Sequence, residues 1–115
     1  MLTTKGKNLK TRYLLATVAA LLLPATAFAA DNGEAVFKKN ICVSCHQLDK
    51  KSVGPALNDI AAKYAGDKNA QAKLETKVRN GGSGSFGTMP MPANSEKTIS
   101  DADIKVAVAW IRSLK

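Results

Sequence analysis

The residues of this chain best placed to do chemistry are Cys42, Cys45 and His46, in the run Cys42-Val43-Ser44-Cys45-His46. At the spacing C-x-x-C-H, two cysteine sulfurs add to the vinyl groups of a porphyrin and the adjoining histidine meets the iron from one face. Two intervening residues let one helical turn span the vinyl separation, and a histidine directly after the second sulfur is held close beneath the metal. His46 is the only histidine present, so a haem here must take its second axial ligand from another residue type. Three other chemistries use part of the same run. A thioredoxin-like dithiol belongs in a larger alternating strand and helix pattern, which this sequence does not show. A structural zinc site takes four ligands, and only Cys42, Cys45 and His46 of the usual set are available. A disulfide between the two cysteines suits an exported protein but gives His46 no role.

Two further stretches bear on the same chemistry. Gln47 to Ala56 reads as a loop punctuated by Gly54-Pro55. Gly-Pro is an ordinary turn signal, but under a haem reading the Pro55 carbonyl is the natural acceptor for the Nδ1 hydrogen of His46 and would fix the ring's tautomer. From Gly81 to Ser95 the composition shifts to glycine, serine, proline and methionine. A linker is the plainer interpretation, yet too little chain follows for a second domain. Met89 and Met91 each precede a proline, which stiffens the backbone in an extended form able to present a thioether without a helix around it. Methionine often only fills a core; a soft sulfur ligand also suits low-spin haem iron and raises its reduction potential.

The N-terminus has the layout of a secretory signal. Lys5, Lys7, Lys10 and Arg12 precede an apolar run, and Ala27-Phe28-Ala29 fits the A-x-A cleavage rule, which makes residues 1–29 a cleavable signal and 30–115 the mature domain. The competing membrane anchor would rest on the 18 residues from Tyr13 to Ala30, the lower limit for a span, interrupted by Pro24. Cleavage leaves 86 residues with 13 basic and 9 acidic groups, net +4. That is one small domain with a marginal core, which a buried macrocycle would help to complete. The mild basic surplus favours docking to acidic protein surfaces over nucleic-acid binding, which would want a denser basic stripe with interleaved aromatics.

Periodicity predicts the elements that hold these groups. A short amphipathic helix is expected over 31–41, capped by Asp31 or Asn32, with Gly33, Phe37 and Ile41 on one face. A second is expected over 57–64 and ends at Gly66. A third begins near Asp67 or Asn69 and runs to Asn80, with Lys73, Lys77 and Arg79 toward solvent and Gly81-Gly82 as the stop. The last covers 101–114, capped by Ser100, with Ile104, Ala107, Val108, Ile111 and Leu114 on its apolar face and Trp110 widening it. No stretch alternates with period two for long enough to make a strand, so the fold class is all-α.

Together these residues resemble a short class I bacterial cytochrome c of the c-551 type across nearly all of the mature chain. The matching pieces, in order, are Phe37-Lys38, Cys42 to His46, Val53-Gly54-Pro55-Ala56, Ala61-Ala62-Lys63-Tyr64-Ala65-Gly66, Arg79-Asn80-Gly81, Pro90-Met91-Pro92-Ala93-Asn94 and Trp110. The resemblance implies about four short helices wrapped around one covalently bound haem c, with the first and last helices crossing through Gly33 and Phe37 against Trp110. It implies His46 and Met91 as axial iron ligands, Cys42 and Cys45 as thioethers, and Pro55 and Asn94 as supporting haem-site residues; Met89 falls where the family has an apolar wall residue. Phe86 stands where some relatives have tryptophan, which leaves Lys77 and Arg79 as candidates for charge near the propionates.

The implied function is a monomeric periplasmic electron carrier between donors of the cytochrome bc type and terminal oxidases, nitrite reductases or peroxidases. The alternative, a haem enzyme or gas sensor with a labile methionine ligand, lacks an acid-base constellation: there is no second histidine, and Asp101 and Asp103 are explained by the helix cap.

Overall fold

The structure, a computed structural model, describes residues 26–115, with side chains from Asn32 onward. Most of the expected signal, residues 1–25, lies outside the described residues. The first helix, α1, spans Thr26–Lys39, so Asp31 and Asn32 lie inside it and not at its N-cap. The physical reason is upstream: Ala27, Ala29 and Ala30 are strong helix formers, and no proline or glycine lies between Thr26 and Asp31 to break the helix.

α1 also ends earlier than the periodicity suggested. Asn40 turns back on it, its Nδ2 donating to the Val36 carbonyl at 2.7 Å, and a 3-10 turn then carries Ile41–Ser44. Ile41 therefore leaves the Gly33 and Phe37 face and is 63% exposed, and Val36 is buried beside Phe37 instead.

The next helix, α2, is Leu57–Lys63 and has no side-chain cap. Its first amides are satisfied by the preceding loop, Leu57 N–H donating to Gln47 O at 2.9 Å and Asn58 N–H to Leu48 O at 3.0 Å. These bonds tie the segment after His46 to the start of α2 and meet the need of a helix N-terminus for acceptors. Helix α3 is Ala70–Asn80 and ends at Gly81, whose φ of +68° favours glycine. Helix α4 is Asp101–Ser113, and Ser100 Oγ accepts from Asp103 N–H at 3.1 Å as the sequence predicted. Among the described residues the sole β contact is an isolated antiparallel bridge between Gly82 and Met91. The fold is all-α.

α4 packs against each of the other three helices. Ile104, Ala107 and Val108 of α4 are buried with Val36, Leu74 and Ile99, and Trp110 is buried with Phe37 and Leu57. The α1 crossing is as close as expected. A Cβ on Gly33 would overlap the Trp110 Cβ and come 2.5 Å from the Val106 carbonyl oxygen. One turn on, the Phe37 and Trp110 rings meet at 5.5 Å between centroids, tilted by 40°.

Because backbone and Trp110 both line that contact, neither can yield cheaply to a methyl group. Gly33→Ala should cost about 1–3 kcal/mol of stability by overpacking, after allowing for its better helix propensity. Denaturant unfolding would measure it, and an unchanged midpoint would contradict the close crossing.

Candidate functional site

The 3-10 turn brings Cys42, Cys45 and His46 onto one loop of backbone: the Cys42 carbonyl accepts from Cys45 N–H at 3.2 Å and from His46 N–H at 3.0 Å. Burial against Phe37, Leu57 and Trp110 pushes the Cys42 thiol up from its ordinary range, with a backbone hydrogen bond opposing that shift more weakly. Among the described residues no cluster of three or more His, Cys, Asp or Glu side chains could hold a bare metal ion, which leaves the zinc interpretation of this run without structural support.

His46 Nδ1 lies 2.8 Å from the Pro55 carbonyl oxygen. A carbonyl can only accept, so Nδ1 carries the hydrogen and a neutral ring keeps its lone pair on Nε2. Gly54 completes the mount. Its N–H donates to Cys45 O at 2.8 Å, and a Cβ there would stand 2.6 Å from His46 Cε1 and 2.9 Å from Nδ1. The sequence marked Gly54 only as part of a turn; what fixes it as glycine is the imidazole lying against it.

His46 and Met91 line the same cavity, of about 510 Å³, together with Cys45, Pro55 and the 82–92 segment. A second, smaller cavity of about 80 Å³ shares His46 and Met91 with it and is walled mostly by apolar side chains of the core, among them Leu57, Ile104 and Val108. Met91 is held by a reciprocal pair of backbone bonds with Gly82, each 2.9 Å. Met89 also borders the cavity but is 64% exposed. Asn94 sits just beyond Met91 and donates from Nδ2 to Val78 O at 2.9 Å and more weakly to Pro92 O at 3.4 Å. Phe86 lines the cavity with the Lys63 ammonium 4.5 Å above its ring, and Lys63 also donates to the Ser85 carbonyl.

Of the three basic residues of α3 expected to face solvent, Lys73 does, while Lys77 and Arg79 are half-buried. Lys77 borders both cavities. Arg79 is turned the other way, bonded to the Asn94 and Ile99 carbonyls and paired with Asp101, so it is not a free charge for a propionate. Periodicity placed both on a polar helix face, and only the return of the 91–101 segment across α3 reveals the difference.

The donor set and the cavity fit a haem: paired sulfurs beside an imidazole mounted for coordination through Nε2, a thioether on the same cavity, and a volume in the range of small-molecule sites. A small helical domain built in this way defines a haem protein of the c type. The chain belongs to the cytochrome c family, whose model matches residues 30–115. It is 47% identical over 107 residues to cytochrome c-552 of Nitrosomonas europaea, covering 93% of this chain and all of that one. It is 39% identical over 107 residues to cytochrome c-551 of Pseudomonas aeruginosa, with the same coverages. The crystal structure of wild-type Nitrosomonas europaea cytochrome c552 superposes with a TM-score of 0.67 at 49% identity, covering 71% of this chain and 99% of that one. The chain is thus a class I cytochrome c with one covalently bound haem c, an electron-transfer protein and not an enzyme.

The mounting of His46 makes Gly54→Ala informative. The added methyl must push the ring away from Pro55, and the Nδ1 proton resonance should lose its hydrogen-bonded shift and its protection from exchange. An unaltered resonance would show that the ring does not lie against Gly54.

Proposed function

We propose that residues 1–29 are removed on export and that residues 30–115 act in the periplasm as a monomeric one-electron carrier. Cys42 and Cys45 form the thioethers, and His46 Nε2 and Met91 Sδ are the axial iron ligands. The observation that carries this reading is that His46, already fixed through Nδ1, and Met91, already fixed by Gly82, border one cavity. That the family match begins at residue 30 supports the same boundary.

When bound, the haem supplies a one-electron couple at its iron. The chain's own residues determine how that couple behaves. Pro55 holds the imidazole in one tautomer and orientation, Asn94 holds the segment that presents the thioether, and the apolar wall formed by Leu57, Ile104 and Val108 keeps water from the inner side. With His46 and Met91 both available to hold the iron, electron gain and loss would need little rearrangement of the chain. A thioether in place of a second imidazole raises the potential.

Partners are redox proteins. We infer a donor of the cytochrome bc type and an acceptor such as a terminal oxidase, nitrite reductase or peroxidase, met through acidic docking surfaces. Lys39, Lys50 and Lys51 are exposed and form no ion pair among the described residues, whereas Lys38 is paired with Glu34 at 2.5 Å and Lys73 with Asp67 at 2.7 Å. Among the described residues no helix is long and apolar enough to cross a membrane.

Met91→Ala should abolish the far-red sulfur-to-iron absorption band and lower the potential, while Met89→Ala should leave the band in place; a band surviving Met91→Ala would refute the assignment. Stopped-flow reduction by the physiological donor should slow about tenfold or more between low and high ionic strength. A rate indifferent to salt would exclude the proposed docking.

A further inference from the structure

We propose that Arg79 is a positioning residue that keeps the Met91 thioether in the haem cavity, acting through the backbone that follows it; the proposal rests on the reading of Met91 as an iron ligand. The last carbonyls of a helix need donors from outside it. At the end of α3 the methionine segment supplies them: Asn94 Nδ2 donates to Val78 O at 2.9 Å and Asn94 N–H to Arg79 O at 3.1 Å. Arg79 then returns the contact. Its Nη1 donates to Asn94 O at 2.8 Å and to Ile99 O at 3.0 Å, and its Nη2 meets Asp101 Oδ1 at 2.5 Å.

One side chain, only 22% exposed, thus fastens three pieces of chain: the backbone three residues after Met91, the turn before α4, and the first residue of α4. The alternatives are poor. Pro90 and Pro92 flank Met91 and have no N–H to donate. Before Met91, the Gly82 bridge is the anchor, and the residues between are rich in glycine and mostly exposed. Ile99 is itself 4% exposed, so its carbonyl would not easily find water in place of the guanidinium. The planar fork of arginine reaches two carbonyls and a carboxylate at once, which a single ammonium cannot match in the same geometry. Loss of Arg79 therefore leaves the segment after Met91 held to α3 by the two Asn94 bonds alone, with the turn before α4 no longer fastened to it, and the thioether departs more often.

The test uses the haem-loaded protein in its ferric form and imidazole as an incoming ligand that competes with the thioether, read by absorbance. Arg79→Met should bind imidazole about tenfold more tightly than wild type, the equivalent of one charge-assisted hydrogen bond lost from the methionine-bound state. Arg79→Lys should fall between the two. Gln71→Ala serves as the control for general destabilisation, since Gln71 joins α3 to α4 by bonds to Lys105 O and Arg112 away from the methionine segment. It should bind imidazole as wild type does, even at a lower melting temperature. Imidazole affinity of Arg79→Met within twofold of wild type, or raised no more than in Gln71→Ala, would overturn the proposal. If Arg79→Met does not accumulate folded, Asp101→Ala removes one anchor and should raise the affinity severalfold, with no change again overturning it. Met91→Ala separates the two claims. If it binds imidazole no better than wild type, the ligand assignment itself fails and the role of Arg79 falls with it; if it binds strongly while Arg79→Met does not, only the role of Arg79 fails.

Discussion

The bond between His46 Nδ1 and the Pro55 carbonyl is the constraint on which the rest of this structure depends. The chain has one imidazole, and its usefulness to a metal requires a defined ring nitrogen in a defined place. The loop from Gln47 to Ala56 is built around that requirement. Gly54 ties back to Cys45 and leaves room for the ring, while the Gln47 and Leu48 carbonyls serve as the N-terminal acceptors of α2. The first turn of α2 and the mounting of the histidine are therefore joined by the same loop.

The second half of the chain meets the first through α4. Its apolar face joins Val36 and Phe37 of α1 to Leu57 of α2 and Leu74 of α3, and the glycine at position 33 sets how closely the terminal helices approach. Fully buried large side chains are few, namely Leu57, Ile104 and Val108, and all three also wall the smaller cavity. Each contributes roughly 1.5–3 kcal/mol of hydrophobic stabilisation, little for a domain of this size once chain entropy is opposed to it. The haem completes the apolar interior as well as supplying the redox centre. Site and core are largely the same residues.

Much of this was legible in the sequence because it is local. The C-x-x-C-H spacing, the Ser100 cap and the three-and-four periodicity of α4 are set by residues within a turn or two of each other, and the structure shows the cap and the buried face where they were expected. What escaped was non-local or conditional. Asp31 and Asn32 looked like N-caps, but α1 starts at Thr26 because the alanines before them continue the helix. Ile41 is exposed because Asn40 folds back on Val36 and the helix ends two residues short of the expected bound. Arg79 looked like one of several solvated cations on α3, and only the path of residues 91–101 across that helix explains its partners. Gly54 carried a turn signal that was correct and incomplete, since a sequence does not reveal that a ring lies against a particular glycine.

The claim that a single haem is stapled to this chain through Cys42 and Cys45 is tested most directly by extracting the purified protein with acidified acetone and weighing what stays in the polypeptide fraction. Covalent thioethers predict that the colour remains with the polypeptide, whose intact mass exceeds that of the bare chain by one haem. Colour passing into the acetone, or a polypeptide of unmodified mass from a host able to attach haem c, would contradict the account.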